Sequence, residues 1–287
     1  MLKVVPLRYG TMFKKAFSDR EVFSRFTSDV LGLPIHVETV HQEYRYPEPV
    51  GRVNVTYDLF AEDVAHRLIV EVQHIREPDF FDRFLHYHAV SIVEQATSPG
   101  NYRAGRTVYT VVVLTTPPRS ERLRFSMAVS DLDPVNEHGA RLGVYRHRLI
   151  FLSPKYINEQ TPPAVRAWLE LIADSLDGEV DEARFGDPLM QRVLDKIRDS
   201  AISPEELSRV KDEAGWEEAL REGTLEGEQK GMLQGKREAL LLVARAVGLS
   251  LDEEARAAVE ACEDVATLDR WIARVPRAKN VVEVLRA

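Results

Sequence analysis

Apolar and polar residues alternate with a period of two in two neighbouring stretches. Val53, Val55, Tyr57 and Leu59 interleave with Asn54, Thr56 and Asp58, and Leu68, Val70 and Val72 interleave with Ile69, Glu71 and Gln73. This is the pattern of strands with one buried and one solvated face. A turn centred between Val64 and Ala65 joins them into a hairpin over 53–73. The run VYTVVVL at 108–114 is apolar almost throughout, which predicts a strand buried on both faces. Ile35, Val37 and Val40 predict an earlier strand over 35–46, ended by Pro47 and Pro49. Shorter alternations at 119–129 and 141–152 predict strands at a sheet edge.

Elsewhere the period lengthens to that of a helix. Phe13, Phe17, Phe23, Phe26 and Val30 line one face of a helix predicted over 11–31, with Thr11 as a candidate cap and Gly32, Leu33 and Pro34 as its stop. Residues 76–95 predict an aromatic helix crossing the sheet, with Pro78 near its start and Asp79 and Asp82 in its first turn. His86 and His88 stand two apart on that helix, so they point in different directions and read as surface or capping groups, not a metal pair. From Pro163 onward the pattern is helical, and Ser203, Pro204 and Glu206 form a capping signature with Pro at the first helical position. Gly223, Gly227, Gly231 and Gly235 recur every four residues. Each costs about 1 kcal/mol relative to Ala inside a helix, which implies either close approach by a partner helix or a loose linker. Apolar positions from Leu240 to Val275 predict a small helical end domain.

The hairpin is where chemistry is suggested. Across the turn, partners have residue numbers that sum to a constant, so Asp58 falls opposite Glu71. Directly opposite residues have Cβ atoms roughly 4.5–5.5 Å apart, and like charges at that distance destabilise a sheet unless a proton or cation neutralises them. Two carboxylates with no thiolate nearby suit an oxygen-loving ion such as Mg²⁺ or Mn²⁺. Gln73 shares the face of Glu71, two residues on. The bland alternative is a solvated face whose acids pair with Arg52 or Arg67.

The arrangement Asp58…Glu71-Val72-Gln73 resembles the PD-(D/E)XK nuclease superfamily, with Gln in the place of the Lys. The E-x-Q ending is similar to the branch of recombination-promoting nucleases and related transposase-type proteins. Met12-Phe13-Lys14-Lys15-Ala16-Phe17 resembles the opening F-K motif of that branch, and Phe26 with Val30-Leu31-Gly32 its F…VLG. Arg83, Tyr87, Gln95, Gly100 and Tyr102 match its R-x3-Y…Q…G-x-Y run, so the resemblance covers about residues 1–115. Gly10 stands where these relatives are often acidic, and Ile92 where they often have Tyr. The resemblance implies an α/β fold, with a restriction-endonuclease-like core whose mixed central sheet is flanked by helices, plus an α-helical C-terminal extension. It also implies a metal-dependent DNA endonuclease with catalytic Asp58, Glu71 and Gln73. Asp58, Glu71 and the Val72 carbonyl would hold Mg²⁺, with Mn²⁺ as a substitute, while Lys14, Arg83 and Tyr87 would face DNA. The alternative is a catalytically weak or inactive protein of the same fold that acts through its helical tail; a true transposase is a third reading, without an evident end-recognition domain.

Charge divides the chain: residues 1–160 hold 20 Lys+Arg against 19 Asp+Glu, and 161–287 hold 18 against 27. A boundary near Thr161, Pro162 and Pro163 follows, giving a nuclease-like domain at 1–160, a helical linker with the glycine repeat at 161–235 and a helical end domain at 236–287. The net charge of -8 argues against non-specific duplex binding by the whole surface, though not against a local basic rim. The single cysteine, Cys262, excludes an internal disulfide and reads as a packing residue of a reducing compartment. No stretch approaches the ~20 apolar residues that span a bilayer. The expectation is a cytoplasmic protein with DNA as partner and self-association through the C-terminal helices.

Overall fold

The computed structural model describes residues 1–48, 50–51, 53–74, 80–96, 98, 100–116 and 121–285. Arg52, Pro78 and Asp79, which carry parts of the reading above, lie outside the described residues. The chain forms two units, Met1–Ala214 and Gly215–Ala287.

The first unit begins with β1 (Leu2–Lys3), α1 (Gly10–Phe17) and α2 (Arg20–Leu31). The single helix expected over 11–31 is two helices, because Asp19 takes an extended backbone and its carboxylate accepts from the amides of Glu21 and Val22 at 3.1 and 3.2 Å. An N-cap of this kind starts a new helix whatever precedes it. Gly32 ends α2 in the left-handed region, φ 65°, which favours glycine. The strand expected over 35–46 shortens to β2 (His41–Tyr44), while Ile35 and Val37 are buried from irregular chain.

The hairpin follows as β3 (Tyr57–Glu62) and β4 (His66–Gln73), then α3 (Phe80–Val93) and β5 (Thr107–Leu114). The edge strands expected further on are β6 (Met127–Asp131) and β7 (Arg148–Leu152). Sheet order is β2-β3-β4-β5-β7-β6, with β4, β5 and β7 parallel and the other pairs antiparallel. β6 is an edge strand, but β7 lies inside, between β5 and β6. β4 was expected to be half-buried; instead Arg67 to Glu71 are all buried, since β5 joins it in parallel and both faces of the sheet are covered.

One face packs Leu59, Val70, Val111 and Ile150 against α1, α2 and the following helices α4 (Pro163–Ser175) and α5 (Pro188–Ile197). Trp168 closes this core against the rings of Phe17 and Phe26 at 5.9 and 5.6 Å. The other face packs Phe60, Ile69, Val112 and Phe151 against Val90 and Phe84 of α3. Residues 161–214 therefore share a core with the sheet, and the charge step near Thr161 lies inside the first unit. A short strand β8 (Glu179–Val180) pairs with β1. The unit is α/β, a mixed sheet between helices.

Helix α6 (Pro204–Ala246) opens with the expected capping box: Glu206 N donates to Ser203 Oγ at 3.2 Å, and Ser203 N to Glu206 Oε2 at 2.9 Å. The second unit comprises its later turns with α7 (Glu253–Ala261), α8 (Val265–Arg274) and α9 (Val281–Leu285). Leu240, Ala244, Val259, Leu268, Val275 and Val284 make its core, and Cys262 packs at the edge of it. Asp252 and Asp264 cap α7 and α8. No helix among the described residues is long and apolar enough to cross a membrane.

The four repeated glycines lie within α6, and a Cβ at any of them would meet nothing within 4 Å. Gly227→Ala and Gly231→Ala are each expected to stabilise the helix by about 1 kcal/mol, read as a higher thermal midpoint by far-ultraviolet circular dichroism. A lower midpoint would mean that something packs on this face in solution.

His88, expected at the surface or at a cap, is fully buried; its Nδ1 lies 2.9 Å from Thr110 Oγ1, and its ring meets that of His147 at 6.4 Å. Burial, reinforced by His147, lowers its pKa from 6.5 to about 4. The unfolded chain therefore binds a proton that the folded one refuses between those values, so this contribution to stability is complete above pH 6.5 and is lost as pH falls toward 4. Denaturant titrations across this range are expected to show that loss for the wild type and less of it for His88→Gln.

Candidate functional site

The antiparallel ladder of β3 and β4 runs from Glu62↔Arg67 to Leu59↔Val70. Its turn is set by Asp63, whose Oδ1 accepts from Ala65 and His66 amides at 2.7 and 2.6 Å. The next pair in this register is Asp58 and Glu71, as the sequence spacing required. Here side chains replace the ladder: Asp58 N donates to Glu71 Oε1 at 3.1 Å, and Val72 N donates to Asp58 Oδ2 at 3.1 Å. Each carboxylate is thus fastened by one oxygen to the backbone of the opposite strand, and the other oxygen stays outside these bonds.

Glu71 is 4% exposed. Its pKa stands well above the usual carboxylate range, first because of burial and then because of the charge of Asp58. Burial also raises Asp58, against the opposing pull of the Val72 amide. Lys14 and Arg83 favour ionisation of both acids without reversing either shift. Glu71 therefore senses Asp58, and both acids sense the same two cations, which is the electrostatic mark of a shared location.

Lys14 lies on α1, where its Nζ meets Glu43 Oε1 at 2.8 Å and holds the pKa of that acid low. Glu43 sits between the paired residues Gln42 and Tyr44 of β2, opposite Asp58, and has φ 51°. A non-glycine residue in the left-handed region is uncommon and costly, and such outliers gather at functional sites. Arg83 Nη2 donates to Gln73 Oε1, and its guanidinium stacks over Phe84 at 4.7 Å. Gln73 is 7% exposed.

Tyr87 packs edge-on against Tyr57 at 5.8 Å and caps the aromatic cluster, so its ring serves packing while Arg83, one turn earlier, reaches the site. His74, the residue after Gln73, meets Thr115 Oγ1 through Nδ1 at 2.8 Å. Arg67, the alternative partner for the acids, is held near the other end of β4 by Glu62 and Glu94 and lies under the Tyr46 ring. Among the described residues no group of three or more His, Cys, Asp or Glu is placed to hold a metal.

One residue at the site escaped the sequence. Glu213, on α6, accepts from Gly10 N at 2.6 Å, Thr11 N at 3.0 Å and Thr11 Oγ1 at 2.5 Å, and its charge acts on Asp58. It caps α1, a role the sequence assigned to Thr11 itself, and it lies against Gly10, whose Cβ would stand 3.6 Å from Glu213 Oε2. The contact joins positions about 200 residues apart, so no local motif could carry it.

Raised carboxyl pKa values mean that the folded chain holds a proton the unfolded chain releases. Stability from this pair is full below the ordinary carboxylate pKa and is lost as pH rises through the raised ones. In a metal-free buffer near neutrality, Glu71→Gln is expected to raise the thermal midpoint, by about 2–4 °C for each kcal/mol relieved, and to flatten its pH dependence. A lower midpoint for Glu71→Gln in differential scanning fluorimetry would contradict the strained pair. No protein-family model, curated protein or solved structure matches this chain.

Proposed function

We propose that the protein is a DNA endonuclease dependent on a divalent cation, with a restriction-endonuclease-like core of the recombination-promoting type. The observation that carries this reading is the reciprocal bonding of Asp58 and Glu71 at the end of the β3/β4 ladder. Holding a buried carboxylate, Glu71, beside a half-buried one, Asp58, is costly unless a proton or a cation lies between them, and a site that keeps such a pair is a candidate for function.

The donors fit the ion. One oxygen of each carboxylate, with the main-chain carbonyl of Val72, makes a small set of hard oxygen ligands, and Mg²⁺ characteristically completes such a set with water. Mn²⁺ suits the same donors. A bound ion of this kind supplies a more acidic water and neutralises charge on a phosphate.

The side chains have separate tasks. Asp58 and Glu71 bind, and the opposite-strand amides fix their orientation. Gln73 is no cation and no practical base; its amide, turned by Arg83 on its oxygen, orients a water or a phosphate oxygen through N–H donors. Arg83 and Lys14 set a positive field over the pair and face phosphate, while Tyr87 supports Arg83. Glu213 holds the start of α1, and with it Lys14, in place. DNA is the substrate, the compartment is cytoplasmic, and the helical second unit serves self-association.

A second reading is a catalytically weak protein of the same fold that works by assembly. The separate core of the second unit, around Leu240, Val259 and Leu268, favours it. One experiment separates them: incubate supercoiled, linear and single-stranded DNA with wild type, Asp58→Ala, Glu71→Ala and Gln73→Ala, in Mg²⁺, Mn²⁺ or chelator. Loss of either acid is expected to lower cleavage about 100-fold or more, and loss of the Gln73 amide about tenfold, the worth of one good hydrogen bond. Cleavage that survives chelator or either acid variant rejects the site, and a metal-independent oligomer without cleavage selects assembly.

A further inference from the structure

The far end of the sheet carries a second feature that the carboxylate pair does not use. β4 and β5 run in parallel, with His66 beside Thr107 at one end and Gln73 beside Leu114 at the other. At ~3.3 Å per residue, eight residues separate these ends by roughly 23 Å. At the Thr107 end, the loops before β5 and β7 enclose a cleft of ≈ 1010 Å³.

Its chemistry is consistent. Arg103, Arg106 and Arg146 line it together with Tyr102 and Tyr145. Tyr102 is 81% exposed and Tyr145 53%, so both rings stand in solvent at the walls. The nearby acids are spent elsewhere. Asp133 accepts from the Gly143, Val144 and Tyr145 amides at 2.7, 2.6 and 3.0 Å and so braces the loop that carries Tyr145 and Arg146. Asp131 pairs with Arg141 and Arg148, and Asp63 with His66. Arg106 donates to the Asp63 carbonyl at 2.7 Å. Among the described residues, no carboxylate pairs with Arg103 or Arg146. On a chain of net charge -8, a cleft with two uncompensated guanidinium groups selects an anionic partner.

The exposed rings narrow the class. A purely anionic ligand gains nothing from two solvent-facing tyrosines, whereas a single-stranded nucleic acid offers both backbone phosphates and unstacked bases. Base-on-aromatic stacking is worth about 1–3 kcal/mol per base and tolerates any sequence, and phosphate contacts add affinity that falls with salt. Duplex bases are stacked on one another and present no free face to a ring. We propose that this cleft binds single-stranded nucleic acid, with Arg103 and Arg146 on phosphates and Tyr102 and Tyr145 stacked on bases. This surface stands apart from Asp58 and Glu71, so it can be tested without any cleavage.

The test is fluorescence anisotropy of the full chain with a labelled thymidine 20-mer in chelator, at two salt concentrations. Wild type is expected to bind with Kd below about 100 µM, more weakly at the higher salt. Arg103→Glu with Arg146→Glu should weaken binding at least tenfold, and Tyr102→Ala with Tyr145→Ala by about fivefold or more, the lower limit of one stacked base. Arg103→Lys with Arg146→Lys should restore most of the binding. All four side chains are exposed or at a loop, so matched thermal midpoints check the fold. Chelator prevents metal-dependent cleavage, which keeps the result separate from the nuclease reading. The proposal is overturned if the 20-mer does not bind, if binding is indifferent to these substitutions, or if a phosphopeptide or heparin binds as tightly and is indifferent to loss of the tyrosines. Equal binding of a blunt duplex overturns the single-strand assignment.

Discussion

Two carboxyl groups held side by side at the end of a buried ladder are the constraint around which the first unit is arranged. Nothing in sheet formation favours the pairing of Asp58 with Glu71; cross-strand like charges oppose it. The pair is tolerated because each carboxylate takes over a hydrogen bond that the ladder would otherwise supply, and because Leu59, Phe60, Ile69 and Val70 immediately beyond it are buried in two cores. The sheet interior thus supplies the stability that the pair at its end costs. The same burial that makes the acids hard to ionise makes their attraction for a cation strong, since charges interact more strongly away from water.

The register was legible from residues alone because a hairpin obeys simple arithmetic once the turn is placed, and Asp63 places it by binding two amides across the turn. The parallel strand at 107–114 was legible because burial on both faces leaves an unbroken apolar run. Burial of β4 was less visible, since Glu71 and Gln73 interrupt its apolar run, and polar residues in a strand ordinarily imply solvent. Here both are buried. The break between α1 and α2 was hidden by a continuous aromatic periodicity across it: Phe13, Phe17 and Phe26 do share one core, although two helices deliver them. His88 was misjudged for the same reason in reverse, a polar residue on a helix assigned to solvent when its partner, Thr110, comes from the neighbouring strand.

What composition could not reveal was where the units divide. The acidic run after residue 160 suggested a separate tail, yet Val165, Trp168 and Leu194 fill the core beneath the sheet. Some of its acids also make specific contacts there: Glu206 with Lys15, and Glu213 with the start of α1. Such contacts span most of the chain and leave no local spacing to read. A net charge counts residues by sequence position, whereas a fold pairs them by neighbourhood.

That pairing gives α1 an importance beyond its eight residues. Its buried face is fixed by Phe13 and Phe17 in the core, its N-terminal amides by Glu213, and Lys15 by Glu206 and the Ala201 carbonyl. Between these anchors Lys14 has little freedom, so its ammonium stays beside Glu43 and within the field of both Asp58 and Glu71. Gln73, two residues beyond Glu71 on β4, is uncharged, so the positive charge acting on the two acids comes from other elements. Here α1 and α3 contribute it from the two faces of the sheet. The geometry of Lys14 therefore depends on a carboxylate contributed about 200 residues later.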